Sequence, residues 1–134
     1  DRIFCRHGME HCLDVARILY IMVLERNLPY RKDMIYATAL LHDIGRYEEY
    51  RRQVSHHEAG GRLAKIILSE CGFSQEEVEQ IVQAICKHKD YNEEDDTFSQ
   101  LLYRADKVSR GCYSCKAGQE CYWNESKRNR TVQY

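Results

Sequence analysis

The stretch Leu40-Leu41-His42-Asp43-Ile44-Gly45 constrains this chain more than any other, because it sets two metal-competent polar side chains next to each other inside an apolar segment. An imidazole and a carboxylate are costly to bury unless something compensates them, and a divalent cation compensates both at once. Adjacent residues on a helix point about 100° apart, so both side chains reach one ion only near a helix end. Gly45 is expected to supply that end, as the residue favoured just beyond a helix C-terminus.

The segments on either side read as helices. From about Met9 to Asn27, Val15, Ile18, Leu19 and Met22 recur at helical spacing, and His11 lies on the same stripe, four before Val15 and seven before Ile18. Taken alone, His11 reads more readily as a core histidine satisfied by a backbone carbonyl than as a ligand. A second helix starts near Asp33, a candidate cap, and carries Ile35, Ala39 and His42 at i, i+4 and i+7. Tyr47 to Val54 reads as a short helix plus loop, with Tyr47 and Tyr50 as surface cover.

Three capping boxes follow. Ser55-His56-His57-Glu58 places both histidines in the first turn of a helix running to Cys71-Gly72, with His56 expected toward solvent or behind the ligands. Ser74-Gln-Glu-Glu77 opens a helix with Val78, Ile81, Val82 and Ile85 inward, and His88 continues that stripe at i+7 from Ile81. After a charged loop from Lys89 to Asp96, Thr97-Phe-Ser-Gln100 opens a helix carrying Phe98, Leu102 and Asp106 at i, i+4 and i+8. A carboxylate on an apolar stripe demands a partner. No segment alternates with period two, so the expected fold is all-α.

At 134 residues the chain is long enough for one domain with a core of its own. A formal net charge of −1, with 31% charged residues, offers no field that would draw it to nucleic acid or to an anionic membrane. The apolar run Ile18 to Leu24 is far short of the ~20 residues a membrane span needs, so a soluble protein is expected. Seven cysteines, an odd number, argue for reduced thiols in a cytoplasm rather than a disulfide scaffold. The chain opens on Asp1 with no charged-then-apolar leader, which reads as a trimmed N-terminus rather than a signal peptide.

Three stretches, His11-Cys-Leu-Asp-Val-Ala-Arg17, Ala39-Leu-Leu-His-Asp-Ile-Gly-Arg46 and Leu101-Leu-Tyr-Arg-Ala-Asp-Lys107, resemble the HD-domain superfamily of metal-dependent phosphohydrolases. Its pattern is a His, a later His-Asp pair and a still later Asp. His57-Glu-Ala-Gly-Gly61 and Ile81-Val-Gln-Ala-Ile-Cys-Lys-His88 are similar to the binuclear branch. The resemblance implies one HD domain over residues 1–134, a bundle of about five to six helices. It implies metal ligands His11, His42, Asp43, His57, His88 and Asp106, with Asp43 bridging two ions, His11, His42 and Asp106 on one and His57 and His88 on the other.

A set of nitrogen and carboxylate donors without thiolate suits one or two octahedral first-row ions, Fe, Mn, Co or Ni, better than tetrahedral zinc. Such ions would hold and activate a water that attacks phosphorus, in a small phosphorylated metabolite of nucleotide type. Asp43, Arg46 and Lys107 are the residues expected to carry this chemistry, with Arg110 a further cation for phosphate. Two other readings share the ligand pattern: a di-iron oxygenase, and a non-catalytic binding module with a structural metal.

Cys112-Tyr-Ser-Cys115 and Cys121 are closely spaced among turn residues Gly111 and Gly118, which suits metal ligation better than core packing. Six residues back from His11 is Cys5 and six forward from Asp106 is Cys112. If His11 and Asp106 meet on antiparallel helices, these two lie at one end of the bundle. The expectation is a structural zinc site of Cys5, Cys112, Cys115 and Cys121, with 111–124 a Cys-rich loop packed against the N-terminus. His7 as a substitute for Cys5, an iron-sulfur cluster, and free thiols in a loose tail are the alternatives.

Overall fold

A computed structural model describes residues 8–46, 51 and 55–134. Cys5, His7, Tyr47 and Tyr50 therefore lie outside the described residues. The described residues include the α-helices α1 (Met9–Glu25), α2 (Lys32–Leu41), α3 (His56–Glu70), α4 (Gln75–Lys87) and α5 (Thr97–Val108). Two short 3-10 turns, Cys112–Ser114 and Glu125–Lys127, follow. The described residues contain no strand, as the absence of period-two patterning predicts. None of their helices is long and apolar enough to cross a membrane.

The helices pack as a closed set: α1 on α2 and α5, α4 on α2, α3 and α5, and α2 against α3. Their apolar stripes meet in one core, where Val15, Leu19, Ile35, Ile81, Ile85 and Phe98 are buried. Each such side chain contributes roughly 1.5–3 kcal/mol relative to exposure, an upper bound for a compact unfolded chain. That apolar core holds the buried polar cluster in place.

Local signals explain most helix ends. Ser74 forms the full capping box: its Oγ accepts from Glu77 N–H at 3.2 Å, and Glu77 Oε2 accepts from Ser74 N–H at 2.9 Å. Helix α3 ends with Gly72 at φ 82 and Phe73 N–H donating to Leu68 carbonyl at 3.4 Å, a Schellman closure. Asn27, at φ 51, ends α1.

Elsewhere the caps differ from expectation. The α5 cap is Asp96, whose carboxylate accepts from Ser99 N–H at 3.0 Å, so Thr97 is already helical. Gln100 instead donates to the carbonyls of Glu93 (3.0 Å) and Asp95 (2.9 Å), closing the charged loop onto the helix. Ser55 makes no side-chain cap bond. The α2 cap is Arg31, with Asp33 in the first turn accepting from Met34 N–H at 2.9 Å.

Gly45 corrects a larger expectation. It does not adopt the left-handed conformation of a C-terminal glycine; among the described residues Gly72 is the glycine with positive φ. Gly45 is required because the chain passes directly over the start of α3. A Cβ there would collide with the His56 carbonyl oxygen and the Gly60 backbone. Gly60 across the contact has more room, its own Cβ position lying 3.4 Å from the Gly45 nitrogen and 3.5 Å from an Ile85 methyl. Gly45→Ala is expected to destabilise the protein by ~1–3 kcal/mol, as overpacking does, while Gly60→Ala is neutral or stabilising through helix propensity. Urea unfolding midpoints that fall equally in both variants would refute this account of the contact.

Candidate functional site

Helices α1, α2, α4 and α5 converge on one buried polar centre, and the start of α3 closes it. His42, immediately after α2, is fully buried. Its Nδ1 lies 2.6 Å from the Ala39 carbonyl oxygen, three residues back. His88, the residue capping α4, repeats the device with the Ile85 carbonyl, also at 2.6 Å. A carbonyl can only accept, so both rings carry a proton on Nδ1 and turn Nε2 inward.

Those nitrogens meet carboxylates. His42 Nε2 lies 3.5 Å from Asp43 Oδ2 and 3.9 Å from Asp106 Oδ1, and it makes no hydrogen bond. His88 Nε2 lies 3.6 Å from Asp43 Oδ1, and His11 Nε2 lies 3.2 Å from Asp106 Oδ1. Three overlapping groups have donor atoms within 4.8 Å of one another: His11, His42 and Asp106; His42, Asp43 and His88; and His56, His57 and His88. The six His and Asp residues singled out from the sequence are thus all brought together.

His56 joins them, which the sequence reading missed. It is buried, and its ring stacks on His57 with centroids 3.6 Å apart. Cys12, beside His11, is not part of the donor set. Burial first, and the Asp43 and Asp106 charges second, push its thiol pKa up and keep it protonated.

The cations expected for phosphate border the carboxylates. Arg46 Nε is 2.8 Å from Asp43 Oδ1, Lys107 Nζ is 2.7 Å from Asp106 Oδ2, and an Arg110 guanidinium nitrogen is 3.4 Å from the same oxygen. Burial works against the Asp106 charge, but the His11 hydrogen bond and the Arg110 and Lys107 charges outweigh it. Asp106 is held well below the usual carboxylate range. Beyond His11 and Arg110 opens a cavity of about 1140 Å³, walled by the start of α1 and by the C-terminal segment.

Cys112, Cys115 and Cys121 line that same cavity, but their sulfurs form no group at ligand separation among the described residues.

Residues 8–111 match the HD domain. The whole chain is 44% identical to an uncharacterized protein of Clostridium beijerinckii, over 84% of that protein. The fold is similar to the crystal structure of a predicted HD superfamily hydrolase from an uncultured Thermotogales bacterium, with a TM-score of 0.71. That likeness has 24% identity and covers 91% of this chain and 70% of the other.

Burial lowers the His42 pKa from 6.5 to about 4, with the neighbouring carboxylates opposing the shift only in part. Unfolded imidazole binds its proton near 6.5, whereas folded His42 does not until about 4. Stability of the metal-stripped protein should therefore fall as pH drops through that window, by on the order of 3 kcal/mol in total, and this contribution is spent below it. Asp106, depressed from the carboxylate value, adds its loss only at lower pH. Urea unfolding of chelator-treated protein between pH 7 and 4 measures the slope. His42→Gln should flatten it, and a wild-type slope of zero would contradict the neutral buried ring.

Proposed function

We propose, on the premise that this chain belongs to the HD-domain family, that it is a metal-dependent phosphohydrolase acting on a small phosphorylated metabolite of nucleotide type. The observation that carries the reading is the pair of buried imidazoles, His42 and His88, each with Nδ1 committed to a backbone carbonyl and Nε2 turned to a shared aspartate. A carbonyl behind a histidine that presents its other nitrogen is how proteins orient metal ligands. His42 Nε2, buried and without a hydrogen bond, is otherwise a cost with no return.

His11, His42 and Asp106 would hold one divalent ion and His57 and His88 a second, with Asp43 between them and His56 alongside. The nitrogen and carboxylate mixture favours Fe, Mn, Co or Ni. Bound there, such ions would supply an acidified water as nucleophile and Lewis acidity toward a phosphoryl oxygen.

The chain's own side chains do the rest. His42 is neutral at physiological pH and so arrives ready to ligate. Asp43 and Asp106 supply the compensating charge. Arg46 and Lys107, now paired with those carboxylates, would meet the phosphate oxygens as the ions take over their partners, and Arg110 stands at the mouth of the cavity where the rest of the substrate would enter. The near-neutral net charge favours a small anion over nucleic acid or membrane as partner. Free thiols at all six described cysteines agree with a cytoplasmic setting.

Purified protein is expected to carry one to two equivalents of a first-row metal at this cluster, and Asp43→Ala to remove them, because it deletes both a ligand and the offsetting charge. Full metal retention in that variant would sink the ligand assignment. Phosphate release from a panel of nucleotides and related phosphoesters should require Mn, Fe, Co or Ni and vanish in His42→Ala. Lys107→Ala should lower the rate by about 10²-fold or more while metal content stays intact, as loss of one positioned charge does. A fully loaded protein that leaves the panel untouched but consumes dioxygen with an organic substrate would instead be an oxygenase.

A further inference from the structure

We propose that Cys112, Cys115 and Cys121 are thiolate ligands of a second, structural zinc ion that fastens the C-terminal segment across the start of α1 and the end of α5. The site is separate from the His/Asp cluster in donor chemistry and in purpose.

Burial does little to anchor the tail. No residue after Asp106 is buried, and the only regular structure from 109 to 134 is two 3-10 turns of three residues each. Polar contacts locate the segment. The Asn129 amide donates to the carbonyls of Lys107 and Arg110, each at 2.8 Å, and so caps the end of α5. Arg128 donates to the carbonyls of Cys121 (2.9 Å) and Trp123 (2.8 Å), and Arg110 stacks over the Trp123 ring at 4.0 Å. These bonds are half-exposed and exchange with water, so their net gain is small beside the entropy of ordering the segment. Chains that cannot bury enough apolar surface are held by a metal or a disulfide.

The cysteines themselves are anomalous as packing residues. Cysteine is among the most buried residue types, yet Cys112 and Cys121 are only partly covered and Cys115 is exposed. All three are free thiols. They nevertheless line one cavity, together with Glu10 and Asp14 of α1.

Two successive turns bring them close along the chain: Cys115 N–H donates to the Cys112 carbonyl at 3.3 Å, and Gly118 N–H to the Cys115 carbonyl at 3.3 Å. A pair of cysteines three apart on such a turn is the usual half of a zinc site. The three sulfurs do not all lie within 4.8 Å of one another. Closing that gap is the ion's part, since thiolate sites assemble as the metal binds and the protons leave.

The HD-domain match ends at residue 111, so the three thiols are additional to what that domain requires. Soft thiolates select zinc, whereas the His/Asp donors favour harder octahedral ions.

Cobalt substitution of the chain separates the two sites. Only thiolate ligands give a sulfur-to-cobalt charge-transfer band in the near ultraviolet, so the band should be present in wild type, persist in Asp43→Ala and disappear in Cys115→Ser. Zinc should fall by one equivalent per chain in Cys115→Ser and stay unchanged in Cys71→Ser, a control at the exposed end of α3. Far-ultraviolet circular dichroism should stay helical throughout, because the tail contributes no α-helix. Should Cys115→Ser fail to fold, alkylation of wild type followed by peptide mass mapping decides: the three thiols should be protected as purified and reactive after chelation. Unchanged zinc in a folded Cys115→Ser, equal alkylation with and without chelator, or a coloured protein carrying iron and labile sulfide would each overturn the zinc assignment.

Discussion

The bond from His42 Nδ1 to the Ala39 carbonyl, 2.6 Å long and inaccessible to water, is what the rest of the molecule depends on. It uses a carbonyl left without a helical partner at the end of α2, and it fixes both the tautomer and the direction of the ring. A neutral imidazole can then be carried into the core at modest cost, while an imidazolium could not, which is why burial drives the pKa down to about 4. Once that ring is set, Asp43 beside it, Asp106 opposite it and His88 edge-on at 5.2 Å have little freedom.

Two buried carboxylates require positive charge, and the molecule supplies three cations around the rim of the cluster. At Asp106 the cations Lys107 and Arg110 take Oδ2 while His11 and His42 face Oδ1, and at Asp43 Arg46 and His88 approach the same Oδ1. The arrangement leaves the charges balanced without filling the centre. It also sets steric demands at a distance: α3 must press close enough to bring His56 and His57 over the site, and the direct passage of Gly45 beneath His56 and Gly60 is the consequence.

Much of this was legible in the sequence, because the site lies on the same stripes that form the core. His11, His88 and Asp106 each continue an apolar helical period, and a polar residue on such a stripe is conspicuous whatever its role. The histidine at 56 was hidden for the opposite reason: it interrupts no apolar run, and its burial comes from α3 docking on the loop after α2, a tertiary contact that no local period records. The role of Gly45 was misread on the same ground. A glycine past a helix end has two common explanations, and only the neighbouring backbone distinguishes a left-handed turn from a close approach. The α5 cap shifted from Thr97 to Asp96 because a carboxylate one residue earlier reaches the same amide.

Placement of the donors along their helices explains why the centre suits a cation. His11 stands third in α1, His56 and His57 open α3, His42 and Asp43 follow α2, His88 caps α4, and Asp106 lies two residues before the end of α5. The helix N-termini, where the dipole opposes positive charge, contribute only histidines. Both carboxylates sit at helix C-termini, where the dipole works against them by ~0.3–1 kcal/mol each in an exposed setting and by more where water is excluded. Three C-terminal ends and two aspartates therefore add their negative potential at one point. A cluster selected for helix stability alone would reverse that assignment, with acids at the starts and bases at the ends. The observed polarity works against the two carboxylates, and the cations Arg46, Lys107 and Arg110 offset it from the rim, so the middle of the cluster keeps a donor arrangement that suits positive charge.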